Sequence, residues 1–154
     1  MASLIESVLK NELEGLRVRL SHGADPNERD TDGRSPLIYA AIRGRSEIAR
    51  LLFEHRVGVD TQDGLGYSAL HYVAQNYFCE FARLLIRHAA TVDVEDNHGN
   101  TPLGRAVFES QGRGVMISIL LDAGADRNHQ NKYGKTPMDL AKLIANYDVT
   151  QFFK

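Results

Sequence analysis

The sequence predicts an all-α solenoid, in which pairs of short helices stack and turns project along one edge. Two observations predict it. A helix-start motif recurs at Ser35, Ser68, Thr101 and Thr136, so that successive copies lie 33, 33 and 35 residues apart. A turn marker, an Asp or Asn three positions before a glycine, precedes every copy at the same interval. A period of about 33 residues with one turn and two helices indicates a repeat array.

The first helix of a unit is predicted from its caps. In the unit that begins at Asp30, Ser35 is a natural N-cap and Pro36 occupies the first helical position, where a missing N–H costs nothing. Small alanines follow at helical spacing, and Gly44 is suited to end the helix because glycine accepts a positive φ. The turn residue Asp30 supplies a side-chain acceptor for nearby backbone N–H groups.

The second helix of the same unit is predicted over residues 47–55, with Ile48, Leu51 and Leu52 on the inward stripe. Counting back one period makes residues 4–27 a degenerate first unit of two helices. The chain therefore divides into one domain, residues 1–154, with five units at about 1–29, 30–62, 63–95, 96–130 and 131–154. Irregular end units are expected because they cover the apolar faces of the stack.

Composition and charge exclude several classes of protein. The chain has 154 residues, 43% of them apolar and 25% charged, which is typical of a globular domain. The formal net charge is −2, and this argues against a nucleic-acid binder. No secretory signal and no membrane-length apolar run is visible. With the single cysteine Cys79, these features predict a cytoplasmic protein that has no nucleic-acid or membrane partner.

The sequence predicts no catalytic or metal-binding pattern. His22, His55 and His88 occupy one position in three successive units, and adjacent units are too far apart for these rings to share an ion. His71 is expected to tie neighbouring backbone together. Cys79 has no basic partner nearby in the sequence. We therefore expect no catalytic residue, no metal site and no cofactor.

Two places depart from the repeat. Tyr77 replaces the helix-ending glycine, and we expect Asn76 to take the left-handed conformation there. Phe78 either covers a neighbouring helix or, together with Tyr77, offers a contact site. The two extra residues of the third full unit fall within residues 108–114, as either a tolerated loop or a binding loop.

The recurrent Thr/Ser-Pro/Ala-Leu motifs, the turn glycines and the 33-residue period resemble the ankyrin-repeat family over nearly the whole chain. The resemblance implies an L-shaped stack of antiparallel helix pairs, with β-turn fingers projecting from one edge and the first helices lining a concave face. Binding by such proteins uses residues outside the core.

Candidate protein-binding residues follow from their position in the unit. They flank the turn glycines or lie late in the first helix, and Leu65, Tyr67 and Tyr133 are expected to have no core to contact. Ile42 and Phe108 place apolar groups at positions that could have been polar. The alternative is that each tyrosine caps a neighbouring unit. The full candidate set is Arg34, Ile42, Arg43, Leu65, Tyr67, Gln75, Asn76, His98, Asn100, Phe108, Glu109, Tyr133 and Lys135.

Residues 106–114 and the ending 136–153 are similar to small bacterial ankyrin proteins, many of which resemble immunity proteins that neutralise a toxin. This similarity implies an inhibitor, monomeric when free, whose concave face blocks the active site of a toxin domain. A nuclease toxin would call for an acidic face. A general scaffold or adaptor, or a regulatory inhibitor subunit of a host enzyme, is the alternative, because fold alone does not dictate function.

Overall fold

The computed structural model describes residues 3–144 and 147–153. Within them the chain forms nine α-helices and a terminal 3₁₀ helix, and no β-strand. The α-helices are α1 (Leu4–Leu9), α2 (Leu13–Ser21), α3 (Pro36–Arg43), α4 (Ser46–Phe53), α5 (Ala69–Gln75), α6 (Cys79–Arg87), α7 (Pro102–Phe108), α8 (Val115–Asp122) and α9 (Pro137–Leu143). The 3₁₀ helix spans Thr150–Phe153.

The helices form two layers. The first helices of the units, α1, α3, α5, α7 and α9, pack against one another in sequence, and α2, α4, α6 and α8 form the second row. This arrangement confirms the predicted all-α solenoid and the two helices of the first unit. The last unit differs, because the described residues after α9 contain the 3₁₀ helix, which packs on α8 and α9.

The caps predicted from the sequence are present. Ser35, Ser68, Thr101 and Thr136 each accept a hydrogen bond from the backbone N–H three residues further on. Gly44 ends α3 with a φ of 67°. Helix α4 ends at Phe53, two residues earlier than predicted. These caps fix where each first helix begins, and so set the position of the turn that precedes it.

The core is a continuous seam of leucine, isoleucine and alanine side chains along the stack. Ala40 and Ala106 are completely buried at equivalent positions of α3 and α7, and Ala41 and Ala74 are completely buried at equivalent positions of α3 and α5. Because an alanine side chain is small, these positions let neighbouring helices approach closely.

The turn between α5 and α6 differs from the prediction. Tyr77, and not Asn76, adopts the left-handed conformation, with a φ of 57°. The Tyr77 hydroxyl donates to the carbonyl oxygens of Ala106 and Arg113 at 2.7 and 3.1 Å, and these bonds help to offset the cost of its backbone conformation. Tyr77 therefore links two units.

Phe78 packs on the preceding unit. This supports the prediction that it covers a neighbouring helix, and not the alternative that it offers a contact site. A β-carbon built on Gly44 would lie 3.0 Å from the ring of Phe78. The glycine that ends α3 is therefore also required by the aromatic ring that packs on it.

The loop between α7 and α8 spans residues 109–114, within the range 108–114 predicted to hold the two extra residues. Two glycines of the loop lie against aromatic rings of the C-terminal segment. Gly112 packs against Tyr147, and Gly114 packs against Phe152. The Arg113 side chain donates to the carbonyl oxygens of Ser110 and Glu109 within the loop. The loop is thus built into the packing of the last unit, which argues against its use as a free binding loop.

Candidate protein-binding face

Four projecting turns, here called the first to fourth fingers, span residues 30–35, 63–68, 96–101 and 131–136. In each finger one side-chain oxygen accepts two backbone N–H groups at 2.8–3.0 Å. The donors are Asp32 and Arg34 to Asp30, Leu65 and Tyr67 to Asp63, His98 and Asn100 to Asp96, and Tyr133 and Lys135 to Asn131. The acceptors Asp30, Asp63, Asp96 and Asn131 are therefore turn formers, as predicted.

Backbone hydrogen bonds join each finger to the next. The N–H of Gly64 donates to Asp32 at 2.8 Å, that of Asn97 donates to Leu65 at 3.1 Å, and that of Lys132 donates to His98 at 2.9 Å. The fingers therefore form one row. Together with the outward sides of α3, α5, α7 and α9, this row is called the finger face below.

In the first two fingers the second carboxylate oxygen is also satisfied. The Tyr39 hydroxyl donates to Asp30 Oδ2 at 2.6 Å, and the Tyr72 hydroxyl donates to Asp63 Oδ2. Burial opposes ionisation of Asp30, but the bonds from Tyr39 and from backbone N–H groups outweigh it and lower the pKa of this carboxyl. Burial and the bond to Asp63 raise the pKa of Tyr72. Each tyrosine thus ties its first helix to the base of its own finger.

The third unit breaks this pattern. Arg105 occupies the position nine residues after the finger aspartate, where the earlier units have tyrosine. Its guanidinium donates instead to Gln75 Oε1 at 3.1 Å and to Glu109 Oε1 at 3.2 Å. Asp96 is 5% exposed, and its Oδ2 atom has no hydrogen-bond donor among the described residues. The third finger therefore contains a buried carboxylate oxygen without a donor, whereas the equivalent oxygen in the first and second fingers accepts a hydrogen bond from a tyrosine.

Arg105 joins a cluster of side chains on the finger face. Its guanidinium lies 5.7 Å from the ring centroid of Tyr67 and 5.4 Å from that of Phe108, within cation–π range. Phe108 is 62% exposed although it is a large apolar residue. The Arg105 cluster, defined as Tyr67, Gln75, Arg105, Phe108 and Glu109, brings four predicted residues together around one that the sequence analysis missed.

The structure divides the predicted site residues into two groups by exposure. Those that are solvent exposed are Arg43, Leu65, Asn76, His98, Phe108, Tyr133 and Lys135. Those that are half-buried are Arg34, Ile42, Tyr67, Gln75, Asn100 and Glu109.

Two of the half-buried residues correct the prediction. Tyr67 was expected to have no core to contact, yet it packs on the core and its ring meets Tyr72 edge-on at 5.1 Å. Ile42 also packs on the core. Both side chains therefore pack against the core, a direction that repeat spacing alone does not specify.

Arg34 and Asn100 bind successive units together. The Nε atom of Arg34 lies 3.6 Å from Asp63 Oδ2 in the next finger. The carbonyl oxygen of Asn100 is 2.9 Å from His71 Nε2, and its side-chain oxygen accepts from Asn131 Nδ2 at 2.9 Å. Burial lowers the pKa of His71, whose Nδ1 accepts from the N–H of Ser68, so His71 has the structural role predicted for it.

The fourth finger contributes an exposed aromatic group. Tyr133 is 68% exposed, its hydroxyl is 2.9 Å from His98 Nδ1, and the two rings stack at 5.9 Å. Leu143, at the end of α9, is 64% exposed. Leu143 is not among the residues predicted from the sequence, although it occupies the same position in its unit as Phe108, and the repeat spacing extended by one unit identifies it.

The described residues contain no group of three or more His, Cys, Asp or Glu side chains placed to hold a metal ion. His22 and His88 are C-caps of α2 and α6, and the ring of His88 stacks on Phe53 at 3.9 Å. Burial raises the pKa of the Cys79 thiol, which opposes formation of the reactive thiolate.

Comparison with known families agrees with this architecture. The family described as Ankyrin repeats (3 copies) matches residues 4–88 and 56–131, which is most of the chain. The chain belongs to the ankyrin-repeat family, whose members are generally non-catalytic modules for protein–protein interaction. None of the curated proteins matches it. Over the part of the chain that is described, no helix has the length and apolar character needed to cross a bilayer.

Proposed function

We propose that the chain binds another protein through the finger face, with the Arg105 cluster at the centre of the contact. The observation that carries this proposal is the loss of the tyrosine–aspartate bond in the third unit. A buried carboxylate oxygen without a donor costs about 1–3 kcal/mol. Proteins break such local rules mostly at functional sites, where binding compensates for the lost stability. Here the break puts a guanidinium between two aromatic rings at the surface.

The composition of the face supports this use. Tyr, Phe and Arg are enriched at the centres of protein interfaces, and they include the residues whose loss weakens binding most. Phe108, Leu65 and Tyr133 are each more than half exposed on this face. Scattered exposed apolar residues are normal, but Leu65 and Tyr133 lie on the row of fingers fixed by backbone hydrogen bonds, and Phe108 lies on the same face at the end of α7.

In finer terms, we propose a bacterial immunity protein, located in the cytoplasm, that neutralises a cognate toxin by covering its active site. Its support is the resemblance of residues 106–114 and 136–153 to small bacterial ankyrin proteins. The four fingers together carry a formal charge of only −1, because the two lysines of the fourth finger offset most of the negative charge of the other three, so the row is not the strongly acidic surface that would imitate a nucleic acid. A toxin other than a nuclease therefore fits this chain better.

The test is affinity purification of the tagged chain from the cells that produce it, followed by mass spectrometry. The matched baits are Phe108→Ala/Tyr133→Ala on the finger face and Val18→Ala/Val115→Ala, two exposed apolar residues of the second-helix row. We expect one stoichiometric partner that is lost only from the first variant and that kills cells when expressed without the inhibitor. Several partners, or one harmless metabolic enzyme, would favour a scaffold or a regulatory subunit. A partner retained by Phe108→Ala/Tyr133→Ala would move the site off the finger face.

A further inference from the structure

The charge of the fingers changes sign along the row. Asp30, Asp32 and Arg34 give the first finger a formal charge of −1, and Asp63 and Asp96 give the second and third the same value. The fourth finger has the neutral Asn131 in place of the aspartate, and Lys132 and Lys135 give it a formal charge of +2. The row thus ends in a basic finger on a chain whose net charge is −2.

The two lysines are free to meet a partner. Both are solvent exposed, and neither forms an ion pair with any described residue. Asn131 performs the turn-forming task of the aspartates with its amide oxygen, so the fold of the finger does not need the missing negative charge. On the adjacent helix, Asp139 is used as the N3 residue of a capping box, and Lys142 is exposed.

Apolar groups lie beside these charges. Tyr133 stands between the two lysines in the sequence and is 68% exposed, with its hydroxyl at His98. Phe108 and Leu143 are 62% and 64% exposed at equivalent positions of α7 and α9, two helices that pack together. The C-terminal half of the finger face therefore offers apolar contacts on the helices and positive charge on the fingers.

We propose, on the basis of the function proposed above, that this half of the face binds an acidic polypeptide segment of the partner that carries at least one large apolar side chain. The apolar side chain lies against Phe108 and Leu143, and the acidic residues face Lys132 and Lys135. Charge complementarity selects this occupant, because a basic segment would meet two ammonium groups that form no ion pair with the described residues. The same charges steer the acidic partner toward the fourth finger during encounter.

The test selects phage-displayed random peptides, 12 residues long, on the immobilised full chain. The enriched peptides are then assayed for binding to Phe108→Ala/Tyr133→Ala. We expect the enriched peptides to combine Asp or Glu with Leu, Phe or Tyr. Lys132→Glu/Lys135→Glu should weaken their binding at least tenfold, whereas Arg50→Glu/Arg87→Glu, the same charge change on the second-helix row, leaves it within twofold.

The outcomes separate the two proposals. Enriched peptides that need Phe108 and Tyr133 but carry no acidic excess would overturn the acidic segment and leave the finger face as the site. Peptides whose binding is unchanged by both Phe108→Ala/Tyr133→Ala and Lys132→Glu/Lys135→Glu would overturn both proposals. Failure to enrich any peptide would overturn the proposal that the partner binds through a linear segment. A concentration-dependent dimer abolished by Lys132→Glu/Lys135→Glu would identify a second copy of the chain as the occupant, which also overturns it.

Discussion

At the scale of single residues, the most informative position is 105. Two sister units show what a tyrosine does there, because Tyr39 and Tyr72 each donate to the second oxygen of their finger aspartate. Arg105 leaves Asp96 Oδ2 without a donor and turns to the surface cluster. The tyrosine at this position stabilises the finger in the first two full units, whereas the arginine in the third has the proposed binding role.

Arg105→Tyr should stabilise the protein while it weakens partner binding. The new hydroxyl is placed to donate to Asp96 Oδ2, and a hydrogen bond to a charged acceptor contributes about 1.5–3 kcal/mol. The matched control is Arg105→Phe, which supplies the same ring without the donor. Urea unfolding monitored by circular dichroism measures the gap between these two variants. If Arg105→Tyr were no more stable than Arg105→Phe, Asp96 would not be short of a donor.

His71 gives the fold a predictable response to pH. Burial holds its pKa below the usual value, so the unfolded chain binds a proton at this ring more readily than the folded chain does. The free energy of unfolding contributed by His71 is therefore complete above about pH 6.5, the unfolded pKa, and decreases as the pH falls below it.

The check is a comparison of unfolding free energies at pH 7.5 and pH 5 for the native chain and His71→Gln. The native chain should lose more stability on acidification, because glutamine does not titrate and retains a donor for the Asn100 carbonyl. The other histidines are common to both proteins and cancel in the difference. Equal losses would mean that the His71 ring is not shielded from protonation.

At the scale of elements, the fingers depend on glycines for two separable reasons. Gly66 and Gly134 have φ values of 79° and 72°, which L side chains rarely adopt. A β-carbon at Gly66 would also lie 2.7 Å from the backbone nitrogen of Asn97, whereas a β-carbon at Gly134 would meet nothing within 4 Å. Gly66 therefore permits both the turn and its close contact with the next finger.

Gly66→Ala should destabilise the protein more than Gly134→Ala does. Both variants carry the conformational cost of about 1–2 kcal/mol for a left-handed residue, but only Gly66→Ala adds a steric cost of about 1–3 kcal/mol. Differential scanning calorimetry of the two variants measures the difference. Equal melting temperatures would show that the fingers move apart freely, contrary to the hydrogen-bonded row described above.

The repeat period predicted the elements well, because caps, turn formers and apolar stripes are local features of the sequence. It failed where packing decides the direction of a side chain or the conformation of a turn. Tyr67 packs on the core, Tyr77 takes the positive φ in place of Asn76, and Arg105 links α5 to α7. Such directions are set by packing, which a count of positions does not contain.

At the scale of the whole molecule, the main helix contacts within the described residues join each unit to its neighbours along the stack. Stability in such an array is close to a sum of unit and interface contributions, so damage at one end stays local. The 3₁₀ helix closes the C-terminal end, where Phe153 is 3% exposed and its carbonyl oxygen accepts from Arg127 Nη1. The basic fourth finger belongs to this end unit.

Phe153→Ala should therefore loosen the end of the stack before the middle. Removing a buried phenylalanine costs about 3–5 kcal/mol, and here the cost falls on the interface with α8 and α9. Hydrogen exchange followed by mass spectrometry should show lost protection in α8 and α9, while α3 and α4 keep theirs. Gln151→Ala, an exposed neighbour in the same 3₁₀ helix, is the control and should change neither. Leu85→Ala in α6, which lies in the middle of the stack, should instead lower hydrogen-exchange protection in the helices on both sides of α6. Uniform loss in Phe153→Ala, from α3 through α9, would show that the array unfolds as one cooperative unit despite its linear contacts.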